Sequence, residues 1–149
     1  MSANPPDSSI RDDTTLVIFC RRPATGIGKP EVAAPAIAGL RLAGALGDRA
    51  TLQLAGHLLA TALEDAGAWP GPVIIAPARA GDAGWAAGLL PGSATVLPQP
   101  AGNLGERITG VDETARALGH SCLVYVGSDA PALTPDYFRR ARAALIDHD

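Results

Sequence analysis

Long apolar runs are what this sequence most plainly lacks. No stretch of its 149 residues approaches the roughly 18 consecutive apolar positions that a membrane-crossing helix needs, which argues against a membrane anchor or a membrane partner. Cysteine is nearly absent as well. Cys20 and Cys122 each fall inside a segment that reads as a strand, and such a pair makes neither a disulfide framework nor a four-ligand zinc site. Both are expected as buried apolar side chains. Basic clusters stop at Arg21-Arg22 and Arg139-Arg140 and the net charge is −3, so nothing marks a nucleic-acid surface. A small anionic ligand needs only local positive groups and stays open. His57, His120 and His148 show no metal-ligand spacing, and none is given a role. The first residues, MSANPPDSSIRDD, are polar and lack the apolar core of a signal peptide. Residues 1–13 therefore read as a flexible leader and the protein as cytoplasmic.

What the chain does have is apolar material for one domain, expected over 14–149, with 47% of its residues hydrophobic. Three runs, TTLVIFC (14–20), PVIIAPA (72–78) and SCLVYVG (121–127), are nearly continuous in apolar character, as strands covered on both faces are. ATVLPQ (94–99) is a weaker fourth. Between them, residues 48–66 space Leu52, Ala55, Leu58, Leu59 and Leu63 as an amphipathic helix behind Asp48 as N-cap. Residues 103–119 put Leu104, Ile108, Val111, Ala115 and Leu118 on one stripe, with Asn103 as cap and Gly119 as terminator. A last helix begins with Thr134 as N-cap and Pro135 in its first turn. PEVAAPAIAGL (30–40) is interrupted by Pro30, Pro35 and Gly39 and reads as a loop or short helix. Trp69 and Trp85 read as core or rim packing. Strands alternating with helices predict an α/β three-layer sandwich with a mostly parallel sheet.

Ligands of such sheets bind beyond the carboxyl ends of the strands, which brings three loops together: RRPATGIGK (21–29), QPAGNLGER (99–107) and GSDAPALTP (127–135). The first combines two glycines with Lys29, yet Pro23 and Pro30 stand where a Walker A loop needs glycine and Ser/Thr. It is neither that loop nor G-x-G-x-x-G, because Glu31 occupies the third glycine position. On its residues alone it fits a phosphate cradle and an ordinary Gly-Pro turn equally well. Asp129 can hold a divalent metal while a ligand's phosphates complete the coordination, or it can be a turn residue bonded to backbone N–H groups. Gln99, Asn103 and Arg107 can reach a base, ribose or phosphate, but Asn103 is also an adequate cap.

Taken in order, the three loops resemble a bacterial family once described as a domain of unknown function, DUF2064, and now called transferase 1 associated with radical-SAM and selenodomain proteins. Its pattern runs from an apolar strand through K-x-P-x-x-G-x-x-K-T-R-L-x-x-x-L-G and Q-x-G-D-L-G-x-R to a strand ending G-S-D-x-P-x-L. Here these stand as RRPATGIGK with RLAGALG, QPAGNLGER and GSDAPAL, over Leu16 to Asp149. The resemblance implies the glycosyltransferase-A, Rossmann-like fold of nucleotide-diphospho-sugar transferases and a distant kinship with molybdenum-cofactor and phospholactate nucleotidyltransferases. It also implies a nucleotide-activated donor from which a glycosyl or nucleotidyl group moves. By position, Asp129 would hold Mg²⁺ or Mn²⁺ at the donor diphosphate, beside Ser128. Lys29 and Arg21 would contact phosphate, Gly26 would let the loop approach it, and Gln99, Asn103 and Arg107 would line the nucleotide pocket.

Four departures stand out. Arg21 occupies a position where the family often has Lys, and Asn103 replaces the common Asp of G-D-L-G. PEVAAPAIAGL separates Lys29 from Arg41 and Leu42. Family members continue past the DHD position into another strand and a D-G-G-Y-type segment, so the chain reads as C-terminally truncated. A second reading follows from a different class: a truncated or degenerate relative that binds nucleotide, or self-associates through an apolar sheet edge as a homo-oligomer, without catalysing a reaction.

Overall fold

A computed structural model describes residues 14–23, 47–92, 94–128 and 135–147. Residues 1–13, Gly26, Lys29, the 30–40 segment, Arg41, Leu42, Asp129, Thr134 and His148 lie outside the described residues. Four strands, β1 (Thr14–Cys20), β2 (Val73–Pro77), β3 (Thr95–Val96) and β4 (Cys122–Gly127), form one sheet in the order β3-β2-β1-β4, and every pairing is parallel. The helices are α1 (Asp48–Gly67), α2 (Ala83–Ala87, entered through a 3-10 turn at Ala80–Asp82), α3 (Leu104–Ala117) and α4 (Pro135–Asp147). The α/β architecture with a parallel sheet is thus as predicted.

The continuous apolar character of β1 has a direct cause. Alternate side chains of a strand face opposite sides of the sheet, and here both sides are covered. Leu16, Ile18 and Cys20 pack with Leu59, Ala66, Trp69, Ala86 and Phe138, contributed by or next to α1, α2 and α4. Val17, with Ile74 and Ala76 of β2, meets Val111 and Ala115 of α3 on the other face. Ile18 stands opposite Ile75 on one neighbour and Val126 on the other, which sets the register from inside the core. Trp69 is buried, and its indole N–H donates to the Thr14 carbonyl at 2.9 Å, which satisfies the ring's polar edge. Trp85 packs half-buried against the same cluster.

Several expectations change in detail. The fourth run yields only Thr95–Val96 as strand, although Leu97 and Gln99 still donate backbone N–H groups to Ile75 and Pro77 at 2.9 Å. Pro98 lies between those two donors, at the edge-strand position that needs none. Gly47, not Asp48, is the N-cap of α1; Asp48 is its first helical residue. Leu104 and Leu118 are 53% and 58% exposed, so only the middle of the α3 stripe, Val111 and Ala115, reaches the core. Gly119 closes that helix with φ 100°, a conformation suited to glycine. Cys122 is half-buried because it opens β4, which lies at one side of the described sheet, whereas Cys20 is buried. Among the described residues, no helix is long and apolar enough to cross a membrane.

Candidate functional site

The chain runs outward from β1 through β2 to β3, then crosses back to place β4 on the other side of β1. Such a reversal opens a crevice at the carboxyl ends of the strands, because the loops leaving the two central strands diverge there. Backbone hydrogen bonds lace those ends into a row. Ser128 donates to the Phe19 carbonyl at 3.0 Å, Ala78 to Cys20 at 2.8 Å, and Gln99 to Pro77 at 2.9 Å. Arg21, Gln99 and Ser128 therefore share one edge, and Asn103 and Arg107 follow on the loop and first turns of α3. Gly26, Lys29 and Asp129, also expected at this edge, fall outside the described residues.

The segment from Gln99 to Gly110 is interlocked. Gln99 is 8% exposed; its Nε2 donates to the Ala76 carbonyl at 2.7 Å and its Oε1 accepts from an Arg107 guanidinium nitrogen at 3.0 Å. Asn103 and Glu106 form a capping box: Glu106 N–H donates to Asn103 Oδ1 at 3.0 Å, and Asn103 N–H to Glu106 Oε2 at 2.7 Å. Gly102 has φ 124°, and a Cβ there would collide with the Glu106 carboxylate. A Cβ on Gly110 would run into the Pro100 ring. Gln99 thus turns its polar groups inward and holds Arg107, while the exposed Asn103 uses its side-chain oxygen to cap the helix start. Glu106 sets its negative carboxylate at the start of α3, where it accepts from the Asn103 N–H, so positive charge at this edge comes from side chains.

Those side chains are arginines. Arg21 follows β1, Arg79 follows β2, and Arg107 is tied to the residue that follows β3. Burial first, then the guanidinium groups of Arg79 and Arg107, holds Arg21 below the ordinary arginine range, although an arginine keeps its charge at neutral pH. Among the described residues no carboxylate forms an ion pair with any of these three; Asp82 lies 3.9 Å from Arg22 instead. Arg107 Nε is buried with no hydrogen-bond partner among the described residues. Sequence reasoning missed Arg79, because the segment after β2, ARAGDAG, matches none of the phosphate-loop patterns and lies outside the three loops that carry the resemblance. The available signal was positional: strands that prove to be neighbours each lead into an arginine at the same edge.

This arrangement can hold phosphate oxygens, which match the planar donor fork of guanidinium. It offers little to a metal. Among the described residues no three His, Cys, Asp or Glu side chains converge, and Gln99 Oε1 is already engaged by Arg107. A cavity of about 10 Å³ between α1, β4 and α4, lined by Leu16, Leu58, Asp65, Ser128 and Phe138 among others, has room for one water and not for a ligand. Burial, then Glu64, raises the Asp65 carboxyl above its usual range.

The fold is that of a parallel α/β protein of Rossmann-like type. Over residues 58–149 the chain matches the family DUF2064, described as an uncharacterized protein conserved in bacteria, and it belongs to that family. The matched stretch holds both the Gln99–Arg107 and Gly127–Asp129 segments. The fold is also similar to the crystal structure of a candidate nucleotide-diphospho-sugar transferase from Desulfovibrio desulfuricans G20, with a TM-score of 0.75 at 20% identity. That likeness covers 93% of this chain and 56% of the other, so the chain spans little more than half the length of that protein. No curated protein matches the chain in sequence.

Proposed function

We propose that the chain binds the nucleotide-linked donor of a transfer reaction, a nucleoside diphosphate sugar or a close analogue, at the carboxyl edge of its sheet. The observation that carries this reading is the pairing of Arg21 and Arg107. Arg21 leaves the end of β1 and Arg107 sits at the start of α3, tied to Gln99 beside the end of β2; the two guanidinium groups repel each other, and no described carboxylate pairs with either. Fixed guanidinium groups in that position stabilise negative charge as it develops on a leaving phosphate, and the scaffold holds them in place before the reaction begins. Gln99 serves this chemistry through Arg107, as a positioning residue, and Asn103 through the start of α3.

Lys29 as a further phosphate contact, Gly26 as the point of close approach and Ser128 beside the diphosphate belong to the same proposal, supported by the family pattern. So does Asp129 as ligand of Mg²⁺ or Mn²⁺. A divalent ion supplies a second source of positive charge at a leaving phosphate. The described residues contribute guanidinium donors to that phosphate and no ligand set to the ion.

Saturation-transfer NMR of the purified chain with UDP-, GDP-, CDP- and ADP-linked sugars, with and without Mg²⁺ or Mn²⁺, tests the reading. One nucleotide class should show contacts strongest at its ribose and base, and excess pyrophosphate should displace it. A folded protein that contacts none of them would overturn the proposal.

A further inference from the structure

We propose that Arg79, in the loop after β2, is a third ligand-binding residue of this edge, completing with Arg21 and Arg107 a three-guanidinium site for a group with two linked phosphates. The inference rests on the donor-binding reading and extends it to a residue outside the three loops that carry the family resemblance.

Geometry supplies the argument. Cys20 pairs with Pro77 in register, and the Ala78 N–H donates to the Cys20 carbonyl at 2.8 Å, so the residues that follow each, Arg21 and Arg79, leave neighbouring strands side by side. Gln99 donates its backbone N–H to Pro77 and its side-chain amide to Ala76, which brings Arg107 to the opposite flank of the same β2 end. Adjacent strands lie about 4.8 Å apart, so the three arginines stand over a row of neighbouring strand ends rather than around one point. A row of cations suits an extended anion. Two linked phosphates spread their charge along such a row, whereas a single phosphate leaves one guanidinium without a partner.

The charge balance points the same way. Three like charges brought together oppose folding unless a counter-charge is supplied. Among the described residues no acid does so, and the neighbouring Asp82 is turned toward Arg22 at 3.9 Å. Arg107 adds an Nε that is buried with no described hydrogen-bond partner. An anionic ligand supplies the missing charge, and β2, the strand that leads to Arg79, lies between β1 and β3.

Calorimetric titration with inorganic pyrophosphate and with orthophosphate tests the assignment in the wild type, Arg79→Gln, Arg79→Lys and Arg116→Gln. The last variant removes the same charge on α3 away from this edge, where Arg116 pairs with Asp112 and bonds the Ser121 carbonyl ahead of β4. The expected result is a loss of at least tenfold in pyrophosphate affinity in Arg79→Gln, a smaller loss in Arg79→Lys, a shallower salt dependence in Arg79→Gln, and no change in Arg116→Gln. Orthophosphate should bind more weakly and respond less. Because Arg79 is exposed and its removal relieves like-charge repulsion, the thermal transition of Arg79→Gln should be no lower than that of the wild type, which excludes misfolding as the cause. Pyrophosphate binding that is equal in wild type and Arg79→Gln would overturn the inference and leave the donor-binding reading standing. A wild type that binds neither pyrophosphate nor any nucleoside diphosphate would overturn both.

Discussion

Replacing Gln99 by leucine separates a residue that positions an arginine from one that reads a ligand. The side chain is 8% exposed and makes two hydrogen bonds, one to the carbonyl of fully buried Ala76 and one from the Arg107 guanidinium. Leucine fills a similar volume but makes neither bond. Loss of a partner to a buried carbonyl costs about 1–3 kcal/mol, and loss of a bond to a charged group that is part-exposed adds about 1 more, so roughly 2–4 kcal/mol is expected in total. Against an ordinary domain stability of about 5–15 kcal/mol this is a large fraction. The thermal transition followed by circular dichroism should fall by about 8–16 °C at about 4 °C per kcal/mol. Gln99→Glu gives the complementary result: it keeps an acceptor for Arg107 but sets an oxygen against the Ala76 carbonyl, so it too is destabilised. If Gln99 positions Arg107, both variants, measured where they are folded, lose phosphate affinity while their preference among nucleotide bases stays unchanged. A Gln99→Leu transition within about 1 °C of wild type would refute the reasoning, as would a changed base preference with unchanged stability.

Other expectations follow from neighbouring features. Gly102→Ala forces a side chain into a backbone with φ 124° and against Glu106, so it should open the capping box and destabilise the protein by about 1–3 kcal/mol in urea unfolding, while Gly56→Ala, with open space around it on α1, should be neutral or stabilising. Burial, and after it Asp82, pushes the Cys20 thiol up to about 11 from 9.0. The folded state therefore holds that proton more tightly than the unfolded one; its contribution is complete below pH 9 and is lost as pH rises toward about 11, on the order of 2–3 kcal/mol, a slope that should be missing in Cys20→Ala. The hydrogen bond from Arg116, then that from Tyr125, holds the Asp112 carboxyl below its ordinary 3.8. Its contribution is present above pH 3.8 and lost as pH falls through the lower folded value, so acid titration of Asp112→Asn should show a flatter stability loss below about pH 4.

The fold was legible because burial on both faces leaves a plain mark: Leu16 to Phe19, Val73 to Ala76 and Leu123 to Val126 are unbroken apolar runs. Helix ends were legible where a side chain makes the cap, as at Asn103, and not at Gly47, which has no side chain to cap the start of α1. The 3-10 turn and α2 escaped notice because GDAGWAA is too short to show a period. At the candidate site, the sequence places Arg21, Gln99, Asn103, Arg107 and Ser128 on one edge, but a residue type does not reveal where its polar atoms point. Gln99 and Asn103 look like ligand contacts by chemistry, and their hydrogen bonds run to the protein. Arg79 was invisible for the opposite reason: its loop, ARAGDAG, fits no phosphate-binding pattern, and its significance comes from the neighbours that sheet order gives it.

If this edge takes the diphosphate of a nucleotide-linked donor, nucleoside diphosphates alone should bind it. The most direct test is calorimetric titration of the wild type and Asp129→Ala with the nucleoside diphosphates UDP, GDP and CDP, each with and without Mn²⁺. One of them should bind the wild type, more tightly with the metal, and Asp129→Ala should lose the metal-dependent part while keeping the weaker binding supplied by the arginines. No heat of binding from any of the three with a folded wild-type protein would contradict it.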